Sequence, residues 1–290
     1  WVDRSRFAWV VTFSALWSLI VYVPVAHWIW GGGWLFTKLH TLDFAGGIVV
    51  HTTAGVSALV TAALLGRRTG FPRTLMLPHS PALTMAGAAL LWVGWFGFNG
   101  GSALAANDDA ASAIINTHVA ACTAALVWLL IERIKVGKPT SVGFATGAVA
   151  GLATVTPAAG FISPGGAFVM GIAAAIVCFP MIGVVKNRLK IDDSLDVFAV
   201  HGMGGIVGSL LLAVFMAPSL GGTGDPETYS TGTQFVAQLI GVGVTAAWSA
   251  IASVVLALAV NLAFPMRVSE DDEREGLDLA SHGERAWEMD

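Results

Sequence analysis

The sequence has little charge and little cysteine, and these shortages exclude several classes of protein. Lys, Arg, Asp and Glu together make up 12% of the 290 residues, and the formal net charge is −4. Soluble globular domains carry about twice that charged fraction, so an ordinary soluble domain is excluded. The sequence has no basic patch, so no nucleic-acid partner is expected. In contrast, 55% of the residues are hydrophobic.

The two cysteines, Cys122 and Cys178, both lie inside apolar runs. A disulfide framework is therefore not expected, and the cysteines do not indicate a compartment. The sequence contains no metal-ligand cluster and no pairing of a nucleophile with a base, so we predict neither an enzyme nor a metal or other cofactor. No charged segment followed by a short apolar core and a cleavage site is present, so no signal peptide is predicted.

Eight long apolar segments account for most of the chain. Each is long enough to cross a bilayer as a helix, although the fifth only just is, and none alternates as a barrel strand would. The fold class predicted is therefore an all-α polytopic membrane protein with about eight transmembrane helices. The predicted spans are Phe7–Trp30, Asp43–Leu65, Pro81–Phe98, Ala110–Ile131, Ser141–Ala159, Gly165–Val185, Asp196–Met216 and Phe235–Phe264.

Basic residues alternate between the loops and predict the orientation of the spans. They precede the first span and follow the second, fourth, sixth and eighth, whereas the intervening loops carry only Lys38. Because positive loops stay on the cytoplasmic side, both ends of the chain are predicted to be cytoplasmic. We expect a multi-pass protein of the cell membrane, in contact with the lipid bilayer.

Two of the spans resemble each other and indicate an internal repeat. Asp43–Arg68 reads DFAGGIVVHTTAGVSALVTAALLGRR, and Asp193–Leu212 reads DSLDVFAVHGMGGIVGSLLL; in each, a histidine follows the opening Asp by eight residues. The charge pattern sends these spans through the membrane in opposite directions, which is typical of inverted-repeat transporters and channels. Eight residues of helix rise about 12 Å, so His51 and His201 are predicted to meet near the midplane of the bilayer.

An ionisable residue inside a membrane is costly and usually functional. His51 and His201 could form a proton relay, a row of polar groups along a hydrophobic pore, or the axial ligands of a haem. The structural alternative is that each only makes a helix–helix hydrogen bond. Asp43 and Asp193 fit helix N-caps, although an acid at a pore mouth also favours a cation.

The outer end of the predicted bundle is rich in aromatic residues. The first span ends HWIWGGGW and the third ends LWVGWFGFNGGSA, which contribute Trp30, Trp95, Phe98 and Ser102. Such residues form interfacial belts, but they also form cation–π cups. The three glycines beside Trp30 favour the cup for a small cation.

These motifs together resemble the ammonium transporter family (Amt/Mep/Rh). The similarity covers nearly the whole chain and includes DFAGG through His51 to GRR, ATVTPAAGFISPGGA, DDSLDVFAVHGMGGIVG and the tail DDEREGLDLASHGE. The resemblance implies transport of ammonium or ammonia through a hydrophobic pore with a twin-histidine proton relay formed by His51 and His201. It further implies that the substrate-binding residues are Trp30 and Ser102 at a recruitment site, Phe98 at a gate, Trp95 in the same region, Asp43 as a structural support and Thr156 beside the pore.

The resemblance also implies partners and domains. Residues 1–267 correspond to the transmembrane channel, and residues 268–290 to a cytoplasmic regulatory tail that engages the PII signal protein. The family forms homotrimers with one pore in each subunit. Its members have eleven spans, and the eight here correspond to the fourth through the eleventh, so we expect either a fragment of a longer protein or a degenerate member, and favour the fragment.

Three alternatives to a transporter remain at this stage. An ammonium sensor of the same fold would carry a signalling domain, and this tail is too short to be one. A neutral-gas channel of the Rh branch would differ at the mouth, where Trp30 favours the microbial Amt branch. A bis-histidine haem protein is the third, although the glycine-rich surroundings of the histidines leave little room for a porphyrin.

Overall fold

The computed structural model describes residues 1–74, 76 and 78–285, and the described part is helical throughout its long segments. A single isolated β-bridge, between Ser5 and Arg267, is found in this part. The α-helices are α1 Phe7–Trp17, α2 Val23–Ile29, α3 Trp34–Leu39, α4 Thr53–Leu65, α5 Pro81–Gly101, α6 Asp108–Lys135, α7 Ser141–Val155, α8 Pro164–Gly183, α9 Met203–Phe215, α10 Thr231–Ala263, α11 Glu270–Glu275 and α12 Leu277–His282.

Eight helical stretches in the described residues are long and apolar enough to cross a membrane, which confirms the predicted fold class. They run Phe7–Leu39, Gly47–Leu65, Pro81–Gly101, Asp108–Lys135, Ser141–Ala158, Pro164–Arg188, Phe198–Phe215 and Thr231–Ala263. The chain is thus a multi-pass membrane protein.

Some helix ends differ from the predicted ones, because polar caps rather than hydropathy set them. Asn107 accepts a hydrogen bond from the amide of Ala110, so α6 begins before its apolar part. Ser230 caps α10 in the same way through the amide of Thr233. Side-chain oxygens at these positions satisfy amides that the helix itself leaves free.

Among the residues that the structure describes, four π-helical turns interrupt or extend the spans. Two of them carry the repeated histidines: Gly47–Thr52 leads into α4 and holds His51, and Phe198–Gly202 leads into α9 and holds His201. The π-helix is rare and is often found at functional sites. The sequence repeat is therefore matched by a repeat of local backbone structure.

The two repeated spans cross antiparallel in close contact. A Cβ atom at Gly55 would collide with the backbone of Gly202, and one at Gly205 would collide with the carbonyl of Gly47. Going along the first repeated span from Gly47 to Gly55, the contacts on the second run backwards from Gly205 to Gly202. The two spans are therefore antiparallel, as an inverted repeat requires. Small residues allow this approach, since apolar lipid gives helices little hydrophobic reason to associate.

The remaining spans surround this crossing. Helices α6, α7 and α8 pack through glycines, with Gly151 and Gly171 both lying against the Ala120 carbonyl. The long α10 packs against α4 and α1, where Trp9 and Phe13 are stacked in a buried cluster. Helix α5 lies at the side, with Leu90 75% exposed.

The two termini meet at one end of the bundle, which we call the terminal end. Arg4 is buried there and donates to the Gly66 carbonyl and to the Asp192 carbonyl. The tail reaches the same place, because Glu273 accepts hydrogen bonds from the Thr69 amide and from Arg267. Trp30 and Ser102 lie at the ends of α2 and α5, which define the opposite end.

Candidate functional site

Asp43 organises the start of the first repeated span. Its Oδ1 accepts hydrogen bonds from the amides of Gly46 and Gly47 at 2.8 and 2.7 Å, and its Oδ2 from Ile48 and Val49 at 2.8 and 2.9 Å. Asp43 is 5% exposed. Free amides at a helix start carry partial positive charge, so Asp43 acts as a cap and fixes the turn that holds the histidine.

Asp193 has the matching place in the second repeat. Its Oδ2 accepts a hydrogen bond from the Phe198 amide at 2.8 Å. The two aspartates therefore share the capping role that the sequence pattern suggests, although Asp193 makes one such bond and Asp43 makes four.

The two histidines lie in direct contact. His51 Nδ1 is 3.3 Å from His201 Nδ1, and the ring centroids are 5.2 Å apart. His51 is buried and His201 is half-buried. A hydrogen bond between two Nδ1 atoms needs a proton on one of them only, so the geometry suits a pair that shares one proton.

The other ring nitrogen of His51, Nε2, takes no part in the contact with His201. His51 Nε2 is buried and has no hydrogen-bond partner among the described residues. A buried polar atom without a partner costs free energy, so this nitrogen suits a small ligand that can donate or accept a hydrogen bond.

Trp95 covers both imidazoles. Its ring lies 5.3 Å from that of His51 at an interplanar angle of 21°, and 6.4 Å from that of His201 at 13°. Phe98 adds a ring 6.1 Å from His51. Residues from α5 therefore form one wall of the histidine pair.

Thr156 holds Trp95 in place. Its Oγ1 accepts the indole N–H of Trp95 at 2.9 Å and donates to the Leu152 carbonyl at 2.7 Å. Thr156 is fully buried in the turn that follows α7. Its hydroxyl therefore orients the tryptophan in this structure.

An outer cavity of about 270 Å³ lies at the end of the bundle that carries Trp30 and Ser102. The Trp30 side chain is 44% exposed, and its indole N–H donates to the Asp43 carbonyl at 2.7 Å. Ser102 donates to the Phe98 carbonyl at 2.9 Å, which leaves the lone pairs of its hydroxyl oxygen available. An indole face beside an acceptor oxygen suits a small cation.

The site residues predicted from the sequence thus form two groups. Trp30, Ser102 and the backbone of Asp43 line the outer cavity, while the histidine pair is associated with Trp95, Phe98 and Thr156. Phe98 connects the groups, since its carbonyl accepts from Ser102 and its ring faces His51.

The structure adds to the outer cavity several residues that sequence reasoning missed. Phe44, Phe161 and Asp109 also line the outer cavity, and the first two rings meet edge to face at 5.2 Å. Phe44 follows Asp43 directly in the DFAGG motif, so the sequence could have predicted it. No sequence signal connects Phe161 or Asp109 to the mouth, because tertiary packing brings them there.

Two cavities adjoin the crossing of the repeats. One of about 490 Å³ runs along α5 and is lined by His51, Trp95, Phe98 and apolar residues. The other, of about 310 Å³, lies toward the terminal end and is lined by apolar residues such as Ala54 and Val197 together with the polar residues Ser57, Thr61 and Asp193. The cavity along α5 therefore offers few polar atoms to an ion, whereas the cavity toward the terminal end offers several.

The direct contact of the histidines is incompatible with the haem alternative in this conformation. Axial imidazoles bind iron from opposite faces of a porphyrin, and two rings with centroids 5.2 Å apart and Nδ1 atoms in contact leave no space for a macrocycle between them. Within the described part of the chain, no group of three or more His, Cys, Asp or Glu side chains is placed to hold a metal ion.

An eight-span helical bundle with an antiparallel repeat and polar residues at its crossing is the architecture of a membrane transporter or channel. The model of the Ammonium Transporter Family matches residues 1–287. The chain belongs to this family, as its sequence motifs indicate.

Curated relatives give the same assignment. The chain is 47% identical to ammonium transporter Amt1 of Archaeoglobus fulgidus over 290 residues, covering 98% of this chain and 72% of that protein. It is 47% identical to an ammonium transporter of Aquifex aeolicus, covering 99% of this chain and 67% of that protein. These relatives are named as membrane transport proteins, which confirms the prediction that the chain is not an enzyme.

Solved structures share the fold. A protein described as a sensor Amt protein superposes with a TM-score of 0.88 at 31% identity, covering 96% of this chain and 71% of that one. Mep2 of Saccharomyces cerevisiae superposes with a TM-score of 0.84 at 36% identity, covering 92% of this chain and 62% of that one.

Proposed function

We propose that this chain conducts ammonium across a membrane, with His51 and His201 as a proton relay in the middle of the path. The observation that carries the proposal is the 3.3 Å contact between the two Nδ1 atoms. Its position at the crossing of two inverted repeats is where transporters bind their substrates. Family membership and the names of the relatives support ammonium as the substrate.

Recruitment takes place at the outer cavity. The exposed face of Trp30 attracts an ammonium ion through cation–π interaction, worth about 2 kcal/mol when the ion is desolvated. The hydroxyl oxygen of Ser102 accepts a hydrogen bond from one N–H group of the ion. Asp43 supports this site from behind, because its carbonyl fixes the Trp30 ring at 2.7 Å.

Passage beyond this point requires the ion to lose its water. A bare charge in an apolar channel is very costly, so ammonium releases its proton or exchanges water for imidazole nitrogens. The histidine pair can take a proton at one nitrogen and release one from another, and it offers an acceptor to ammonia. Phe98 gates the entry, and Trp95, held by Thr156, keeps the imidazoles in register.

Potassium is rejected by the same chemistry. It has a similar charge but neither a proton to release nor an N–H to donate, so the histidines offer it nothing in exchange for water. Selectivity therefore depends on the imidazoles rather than on the width of the path.

The test is uptake of labelled methylammonium by cells that lack their own ammonium transporters. Methylammonium uptake by the unaltered chain should persist in excess potassium. The double variant His51→Ala, His201→Ala should lose this selective uptake. A matched control is His118→Ala, which removes another membrane histidine; its ring contacts Cys122, Trp92 and Phe96 rather than the pair. Selective uptake by the double variant would refute the relay.

A sensor role is the second candidate, because one structural relative is described as a sensor Amt protein. A sensor binds ammonium at the outer cavity without net flux. Binding of methylammonium to the purified protein without uptake into proteoliposomes would favour the sensor, and saturable uptake would favour the transporter.

We further propose that the protein is a homotrimer in the cell membrane, with residues 1–267 as the channel and residues 268–290 as a cytoplasmic tail that binds a PII signal protein. Support comes from the family resemblance and from the position of the tail, which contacts the loop after α4 through Glu273. Mass measurement in detergent tests the trimer. Binding of a PII protein to chains with and without residues beyond Arg267 tests the tail.

A further inference from the structure

The outer cavity is lined by two acidic residues, and only one of them has a carboxylate free to meet a cation. Both oxygens of Asp43 are engaged by four amides at 2.7–2.9 Å. Asp109 also lines the cavity and is exposed. Its one hydrogen bond within the described residues is a long one, from Asn107 Nδ2 to Oδ2 at 3.4 Å.

The charge of Asp109 is not neutralised at the mouth. No Lys, Arg or His is found among the described residues that line the outer cavity. Asp109 therefore presents a negative charge to the same cavity as the exposed indole face of Trp30 and the hydroxyl of Ser102. Clefts lined by charge of one sign raise the local concentration of ions of the other sign.

An acid in the first turn of a helix has an ordinary explanation, since it stabilises the helix dipole. That explanation applies equally to Asp108 and Asp109, which both lie in the first turn of α6. Asp108, however, does not line the cavity. A comparison of Asp108 with Asp109 can therefore distinguish a role in stabilising the helix from a role at the outer cavity.

We infer that Asp109 is the charged group that draws ammonium into the outer cavity and so sets the concentration at which uptake is half-maximal. The inference rests on the proposed function and adds a specificity-determining residue to it. Trp30 and Ser102 bind the ion once it has arrived, while the free carboxylate of Asp109 favours the cation over neutral ammonia at the entrance.

The experiment measures initial rates of methylammonium uptake into proteoliposomes at two salt concentrations, with sucrose to balance osmolarity. At about 0.01 M salt, where the Debye length is about 30 Å, Asp109→Asn should raise the half-saturating concentration by about two- to fivefold. At about 0.15 M salt the difference should shrink, since screening shortens that length to about 8 Å. The maximal rate should not change, because the path beyond the mouth is intact.

Three further variants complete the test. Asp108→Asn removes the same helix charge from a residue outside the cavity lining, so it should raise the half-saturating concentration clearly less than Asp109→Asn does. Asp109→Glu should restore it, and Asp109→Lys should raise it further than Asp109→Asn does. Equal curves for Asp108→Asn and Asp109→Asn, or an effect that does not depend on salt, would overturn the inference while the unaltered chain still transports. If the unaltered chain shows no saturable uptake, the proposed function fails, and the inference fails with it.

Discussion

The histidine pair depends on neighbouring residues that hold its surroundings in place. Trp95 stacks on both imidazoles, and its indole N–H is satisfied by Thr156. Asp43 fixes the turn beneath His51 and, through its carbonyl, the ring of Trp30. Single side chains therefore link the outer cavity to the crossing of the repeats, and each is a positioning residue.

Replacement of Thr156 by valine tests this positioning role. Thr156→Val leaves the buried N–H of Trp95 without an acceptor, which costs about 1–3 kcal/mol and frees the ring to move. We expect methylammonium uptake to fall about tenfold with the protein still folded. The conservative Thr156→Ser should retain most of the rate. Normal uptake by the valine variant would show that the hydroxyl is not needed.

At the level of helices, the close crossing of the two repeats decides whether the imidazoles can meet. Gly205 lies against Gly47 and against the Cβ of His51, at 2.8 Å from the position that its own Cβ would take. Gly55 lies against the backbone of Gly202 at the same crossing. The repeated GG and AG patterns thus have a packing role beside the histidines.

An added methyl group at this crossing should separate the helices. Gly205→Ala is expected to destabilise the protein by about 1–3 kcal/mol through overpacking and to abolish uptake. Gly243→Ala is the matched control, because Gly243 lies in a helix with open space around it. That variant should be neutral or slightly stabilising. Thermal unfolding in detergent, together with uptake, distinguishes the two. Equal stability and uptake for both variants would exclude a tight crossing.

At the scale of the whole molecule, a network of charges ties the terminal end together. Arg68 forms a two-point ion pair with Asp192 and contacts Asp3, while Arg4 reaches Gly66 and Ser194. Burial alone would raise the pKa of Asp192, but its hydrogen bonds with Arg68 outweigh burial and lower that pKa. The first span, the end of α4 and the segment before His201 are therefore held by one network.

Because of this network, the free energy of unfolding should fall as the pH is lowered. A carboxyl whose pKa is lowered by folding stabilises the protein above its unfolded value of about 3.9, and the contribution is lost as the pH falls through the lowered pKa. The melting temperature should therefore drop on acidification below about pH 4, and less so in Asp192→Asn.

At neutral pH, Asp192→Asn should itself lower the melting temperature. The expected loss is about 2–3 kcal/mol, because Asp192 is buried and Arg68 would keep only its contact with Asp3. Asp271→Asn, in the exposed first turn of α11, serves as the control and should have almost no effect. A melting temperature that responds equally to both substitutions would contradict the role of the pair.

The sequence predicted the number and type of the spans and the pairing of the histidines. The spans could be predicted because hydropathy and charge are local properties of the chain. The histidine pair could be predicted because an Asp and a His at equal spacing in both repeats place the two imidazoles at matching depths in the bilayer. The span ends differed by a few residues where Asn107 and Ser230 cap helices beyond their apolar parts.

Other features required the tertiary structure. The stacking of Trp95 on both imidazoles, the bond from Trp95 to Thr156, and the presence of Asp109 and Phe161 at the mouth join helices far apart in the chain. A pattern along one helix specifies which face is buried, but not which neighbour it meets. The sequence by itself therefore determined the membrane class, the repeat and the central pair. Packing between helices decided which side chains position the pair and which free carboxylate lines the outer cavity.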